Sequence, residues 1–152
     1  MLSRDFKEFA ELLNANGVEY LVVGGYALAA HGQPRYTGDL DVWLRVTPDN
    51  IERVLSALDT FGFGSVGLSA ADFMQPDAVI QLGYPPGRID LLASADGVTF
   101  EACHARRIEV VVAGVSLPVI GLDDFKANKR ASGRAKDLAD LEALRDKPSS
   151  GI

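Results

Sequence analysis

The spacing of hydrophobic and polar positions changes several times along the chain, and each change marks an element. Phe6, Phe9, Ala10 and Leu13 recur at helical spacing behind Ser3, a residue type suited to an N-cap. Residues 3–16 therefore read as an amphipathic helix, stopped at Asn16-Gly17. Tyr20-Leu21-Val22-Val23 is a short apolar run of strand type, broken by Gly24-Gly25, and Tyr26 to His31 reads as a short alanine-rich helix. Gly32, Pro34 and Gly38 punctuate a loop over 32–38. Asp39 to Leu44 alternates polar and apolar, the period of a half-buried strand. Thr47-Pro48 is an N-cap followed by proline at the first helical position, opening a helix to about residue 60.

Beyond it, residues 61–67 are glycine-rich and irregular, and Ser69 is placed to cap a short helical turn. Residues 78–82 and 87–93 read as strands around Tyr84-Pro85-Pro86, and Asp96-Gly97 marks another turn. Residues 108–112 and 115–120 read as a strand pair turned at Ala113-Gly114. Asp123 is expected to cap a helix to about residue 131, and after Gly133 a last helix runs to about 145. This order predicts an α/β (α+β) domain: a mixed sheet, helices packed mainly on one face, and two C-terminal helices. Residues 1–145 are expected to form one domain, with 146–152 a loose tail.

Composition narrows the class. The 152 residues are 47% hydrophobic, enough for one domain with a real core and too apolar for a disordered chain. No apolar run is long enough to span a bilayer, so no membrane partner is expected. Arg4, Asp5, Lys7 and Glu8 do not form the charged region that precedes a secretory apolar segment. Cys103 is the single cysteine, so no internal disulfide can form and a cytoplasmic setting is expected. The net charge of −6 argues against nonspecific coating of nucleic acid. The bases are uneven, with Arg106-Arg107 in one cluster and Lys126, Lys129, Arg130, Arg134 and Lys136 in another.

The candidate chemistry lies in Val22-Val23-Gly24-Gly25-Tyr26-Ala27 and Arg35-Tyr36-Thr37-Gly38-Asp39-Leu40-Asp41-Val42. On a strand, Asp39 and Asp41 point to one face while Leu40, Val42 and Leu44 enter the core. Two adjacent carboxylates repel unless a cation neutralises them, and Mg²⁺ typically takes one or two carboxylates plus substrate phosphates. Gly24-Gly25, where a strand meets a helix, would let phosphates approach the backbone and the helix N-terminus. Asp90, polar between Ile89 and Leu91, offers the third acid of a two-metal site. Bland readings stand beside these. Asp90 could pair with Arg88, Arg35 could simply cover its loop, and Lys129, Arg134 and Lys136 could be solvated helix charges. Trp43 shares the face of Asp39 and Asp41, with core packing the favoured reading. His31 and His104 lack a partner at metal spacing, and Cys103 reads as a buried small side chain.

The glycine pair, the Asp-x-Asp strand and a lone later Asp resemble the polymerase-β-like nucleotidyltransferase superfamily. The string VVGGYALAAHGQPRYTGDLDVW and the segment from Lys126 to Asp140 are similar to its AbiEii-toxin-like branch. The resemblance spans residues 1 to about 145. It implies transfer of a nucleoside monophosphate from a nucleoside triphosphate to an acceptor, with pyrophosphate leaving. It implies catalytic and metal roles for Asp39, Asp41 and Asp90, two Mg²⁺ ions, and nucleotide contacts from Gly24, Gly25, Arg35, Thr37 and Lys129. In that branch a lysine and a later aspartate complete the site, here Lys129 with Asp137 or Asp140. The acceptor is not implied: tRNA, a protein and a small molecule all stay open. A toxin–antitoxin or phage-defence setting would add a cognate antitoxin or toxin protein as partner. The alternative is a catalytically silent module of the same fold that binds a nucleotide or a partner.

Overall fold

A computed structural model of the chain describes residues 3–32, 38–62, 67–83 and 87–144. Helix α1 (Arg4–Ala15) starts where the Ser3 side chain accepts the Phe6 N–H at 3.2 Å, and it buries Phe6, Phe9, Ala10 and Leu13. Strand β1 (Tyr20–Val23) follows, buried at all four positions, then α2 (Gly24–Ala30) and β2 (Leu40–Leu44). Helix α3 (Pro48–Phe61) carries the Thr47 cap and ends at Gly62 in the left-handed conformation. A single turn, α4 (Ala70–Phe73), leads to β3 (Val79–Leu82) and β4 (Ile89–Leu92). Then come α5 (Phe100–Ala105), β5 (Ile108–Val112), β6 (Val115–Val119), α6 (Leu122–Ser132) and α7 (Ala135–Leu144).

The six strands form one mixed sheet in the order β3-β4-β2-β1-β6-β5. β1 pairs antiparallel with β2 and parallel with β6, while β2 pairs parallel with β4. The outer pairs, β3 with β4 and β5 with β6, are antiparallel. The turn between β5 and β6 uses Ala113 and Gly114, both at positive φ (54° and 81°), which matches the twist of a tight hairpin. The mixed sheet and its seven described helices give the expected α/β architecture.

Three local expectations need correction. The second helix starts at Gly24, two residues before Tyr26: Gly24 turns the chain out of β1 at φ +67° and Gly25 continues into the helix. Asp123 is not the cap of α6: Gly121 occupies that position, and Asp123 and Asp124 fall in the first turn. Helix α5 lies where the sequence pattern predicts no element. It is six residues long, capped by Thr99, and buries Phe100 and Cys103 one turn apart. Phe61–Gly62 ends α3, while residues 63–66 and the Tyr84-Pro85-Pro86 turn lie outside the described residues.

One buried polar residue ties the centre of the fold together. Asn50, only 1% exposed, accepts from the Glu19 N–H at 2.8 Å and donates to the carbonyls of Glu19 (3.0 Å) and Arg45 (2.8 Å). Since an unmet buried amide is costly, this saturation fixes α3 against the start of β1 and the end of β2. At the other end of these strands, His31 Nε2 donates to the Ile120 carbonyl at 2.8 Å, holding the end of α2 to the strand edge. Trp43 packs edge-on against Phe100 with centroids 5.3 Å apart, so it is a core residue. Cys103 is fully buried; burial, with the Asp124 charge nearby, pushes its thiol up to about 11.

Candidate active site

The site forms where the start of β2, the start of β4 and the end of β1 meet. Asp41 lies opposite Asp90 in the parallel β2–β4 register and opposite Val23 in the antiparallel β1–β2 register. Laterally paired positions share a face of the sheet, so both carboxylates emerge together. Asp39 stands just before β2, on the same side by alternation. The backbone knits these strand ends: Leu40 N–H donates to the Arg88 carbonyl at 2.9 Å, and Gly87 N–H donates to the Gly38 carbonyl at 2.6 Å.

Arg88 links two of the three acids. Its Nε and Nη2 donate to Asp90 Oδ1 and Oδ2 at 2.7 and 3.1 Å, a two-point grip. Its Nη2 also lies 3.5 Å from Asp39 Oδ2, and its backbone N–H donates to Asp39 Oδ1 at 3.0 Å. The hydrogen bond to Asp90, backed by the charges of all three acids, holds the Arg88 guanidinium in its protonated form. The Arg88–Asp90 ion pair, read in the sequence as the bland role for Asp90, is therefore present.

Asp41 is the acid without that guanidinium. Burial, the Asp90 charge and a hydrogen bond with Asp90 push its carboxyl up from 3.8 to about 6, with Asp39 adding to the rise. Lys136, from the first turn of α7, pulls it back. This is the arrangement in which added positive charge is most stabilising. Beside it, Gly24 turns at φ +67°, and a Cβ there would overlap Asp41 Oδ2. Glycine is thus required twice, by conformation and by the close approach of the carboxylate. The N-cap of α2, Val23, has no side chain to cap the helix's first N–H groups.

The donor set fits a hard cation. All the candidate ligands are carboxylate oxygens, and two of them already share one cation, Arg88. Among the described residues, no three His, Cys, Asp or Glu side chains form a ready-made cage for a metal. Mg²⁺ does not ordinarily need one, because phosphates and water complete its shell.

Lys129 is placed differently from the expected nucleotide contact. Its buried Nζ lies 3.1 Å from Asp137 Oδ1 and 3.4 Å from Asp140 Oδ2, and 5.2 Å from the centre of the Phe125 ring. Arg134 Nε also donates to Asp137, at 2.8 Å. Burial opposes ionisation of Asp137, but hydrogen bonds from Arg134 and Lys129 outweigh it and hold its carboxyl below the usual range. Lys129, Asp137 and Asp140 thus lock α6 to α7, and a nucleotide would have to displace these pairs to reach the lysine. Arg35 and Thr37 lie outside the described residues. Arg88, by contrast, grips two of the acids, and the charge of Lys136 favours the ionised form of Asp41. The i, i+2 spacing of Arg88 and Asp90 on one strand signalled the first, whereas nothing local distinguished Lys136 from its basic neighbours.

A glycine turn abutting an Asp-x-Asp strand, with a further Asp on the parallel neighbour, defines a nucleotidyltransferase of the polymerase-β-like superfamily. Within it, the chain belongs to the DUF6036 family, described as a nucleotidyltransferase of unknown function, whose profile matches residues 2–145. A search of curated proteins finds no match. Among solved structures, the chain is similar to the lincosamide antibiotic adenylyltransferase LnuA in its lincomycin-bound form. Identity is 14%, over 97% of this chain and 99% of that one, with a TM-score of 0.61. A putative nucleotidyltransferase from Thermotoga maritima aligns at 15% identity over 95% of this chain and 93% of its own, with a TM-score of 0.59. The antibiotic-resistance factor ANT(2'')-Ia aligns at 12% identity over 97% and 84%, also at 0.59. These likenesses carry the fold, and they do not single out the AbiEii-toxin-like branch. Among the described residues, no helix is long and apolar enough to cross a membrane.

Proposed function

We propose that this nucleotidyltransferase moves a nucleoside monophosphate from a nucleoside triphosphate to a hydroxyl of a small-molecule acceptor, with Asp39, Asp41 and Asp90 as its catalytic acids. The observation that carries this reading is the pairing of Asp41 with Asp90 across β2 and β4, beside the Gly24 turn. Bound Mg²⁺, two ions in this class of reaction, would neutralise the acids and the phosphates and steady the leaving oxygen. The protein's own groups do the rest. Gly24 and Gly25 let the phosphates approach the backbone, and the three carboxylates would hold the cations that set the α-phosphate in line with the acceptor. The acceptor oxygen forms a bond to the α-phosphorus as the bond to the pyrophosphate oxygen breaks. The acceptor's proton passes to a carboxylate of the Asp41–Asp90 pair.

The small-molecule acceptor is supported by the lincosamide antibiotic adenylyltransferase, which shares this fold and was solved with lincomycin bound. Arg35 and Thr37 remain candidates for the triphosphate, and residues 1–145 are read as a single domain. A tRNA or protein acceptor would fit a toxin–antitoxin or phage-defence role in the cytoplasm. The Arg88 bridge favours a second reading, a silent nucleotide-binding module, since it already pairs with two of the three acids.

The test mixes the pure chain with each α-labelled triphosphate, Mg²⁺, and separate low-mass, RNA and protein fractions of a cell extract. Label moving into the low-mass fraction with release of pyrophosphate supports the proposal, and Asp90→Asn should lower the rate at least about a hundredfold. Tight metal-dependent triphosphate binding with no transfer into any fraction would favour the silent module.

A further inference from the structure

Alternation makes the two faces of β3 unlike. Ile80 and Leu82 turn toward the core, whereas Val79 and Gln81 are exposed on the opposite face. The strand register says which face that is. Gln81 pairs with Asp90, Asp90 with Asp41, and Asp41 with Val23, so one row of side chains crosses four strands on the face of the acids. Over the middle of the sheet this face is covered, because Trp43, two residues beyond Asp41, is buried against Phe100. At the β3 edge it is open. Val79 is 54% exposed, and Gln81 makes no hydrogen bond to another described residue. Directly opposite positions of an antiparallel pair have Cβ atoms about 4.5–5.5 Å apart, so the Gln81 amide stands beside Asp90. The row also has a direction. At its β1 end, Gly24 packs so closely on Asp41 that a Cβ would overlap Oδ2, and this is the turn read as the phosphate cradle. In-line transfer puts the attacking oxygen opposite the leaving pyrophosphate. With the phosphates at the β1 end, the acceptor enters over β4 and β3.

We propose that Val79 and Gln81 form the acceptor shelf of the site: the Gln81 amide hydrogen-bonds a polar group next to the attacking hydroxyl, and Val79 packs against an apolar part of the same molecule. This rests on the nucleotidyltransferase reading of the acids. The shelf narrows the class of acceptor. An amide both donates and accepts, so it can hold a hydroxyl or amide neighbour of the attacking oxygen. Neither shelf residue is charged, and Arg88, the base that grips Asp90, is committed to Asp90 and Asp39. A polyanion would find acids here and no uncommitted base in the row. A compact hydroxylated molecule with an apolar portion fits instead, since small-molecule sites combine apolar surface with a few placed polar groups.

The experiment saturates the full chain with Mg²⁺ and the α-labelled triphosphate that wild type uses best, then titrates in the low-mass fraction of a cell extract. Wild type is compared with Gln81→Met, Val79→Ser and Val111→Ser. Methionine keeps the length of glutamine without its polar atoms. Val111, 70% exposed on β5 at the far edge of the sheet, is the control. Gln81→Met should raise the amount of fraction needed for half-maximal transfer by about fivefold, the scale of one neutral hydrogen bond. Val79→Ser should raise it by about threefold through lost apolar contact, and Val111→Ser should not change it. Calorimetric affinity for the same Mg·triphosphate should stay within twofold of wild type in all three variants. If wild type transfers label and both β3 variants behave like Val111→Ser, the shelf is refuted while the nucleotidyltransferase reading stands. If the β3 variants weaken the triphosphate as much as the acceptor, these residues serve the nucleotide and the proposal fails. If wild type labels nothing in the low-mass fraction, the small-molecule reading and the shelf fall together.

Discussion

Replacing Asp41 by asparagine should make the metal-free protein more stable while ending its chemistry. Asparagine keeps the shape of the carboxyl and mimics its protonated form. Asp41 is pushed from 3.8 to about 6 by burial and by Asp90 and Asp39, so ionising it in the folded state is opposed. At about 1.4 kcal/mol per tenfold change, that displacement corresponds to roughly 3 kcal/mol between the two protonation states. Asp41 is only partly buried, so solvent screening reduces the recoverable share to about 1–2 kcal/mol. For a chain of this size that is a rise in Tm of roughly 3–8 °C. The pH dependence is fixed in sign. The folded chain holds the Asp41 proton up to about pH 6, while the unfolded chain releases it near 3.8. Between these values the folded state binds more protons, so wild-type stability falls as pH rises through the window. Urea unfolding in EDTA at pH 4 and pH 7.5 checks it. The two proteins should nearly coincide at pH 4, and the variant should be ahead at pH 7.5. Equal stability at pH 7.5, or the same gain at both pH values, would refute the claim that ionising Asp41 destabilises the metal-free fold.

Other outcomes follow from the same geometry. Lys129→Met leaves Asp140 and part of Asp137 buried beside an apolar chain; with Arg134 still holding Asp137, the loss should be about 2–4 kcal/mol by chemical denaturation. Gly24→Ala forces a side chain at φ +67° and against Asp41, so it should cost about 1–2 kcal/mol from backbone strain alone and more from the overlap; differential scanning calorimetry and Mg·ATP titration should both register it. Cys103, buried with its thiol raised to about 11, should resist iodoacetamide at pH 8 until urea unfolds the chain; rapid native labelling would contradict its placement.

Much of the architecture could be read locally because the signals were local. Ser3, Thr47-Pro48 and the glycine pair punctuate the chain by steric and capping rules that need no distant partner. Asp39 and Asp41 were assigned to one face by alternation alone. Helix α5 has no clear local signature, because six residues carry too little periodicity and Thr99 follows directly on the Asp96-Gly97 turn. The burial of Lys129 has no local signal, because Asp137 and Asp140 reach it only after α7 folds back on α6. Lys136 illustrates the same limit from the other side. Its nearness to Asp41 is a product of helix placement, and no spacing within Arg134-Ala135-Lys136-Asp137 announces it.

The Asp41–Asp90 pairing has a consequence for how activity is gained and lost. The two residues come from strands that run parallel, so everything between them, including α3, α4 and β3, must close its loop before they meet. Side chains alternate along a strand, and a slip of one position would set Ile89 or Leu91 beside Asp41 and swing Asp90 to the far side. No partly assembled sheet carries a partly competent centre. The proposed centre therefore exists only while β2 and β4 hold this register, and loss of activity should report that the alignment has come apart.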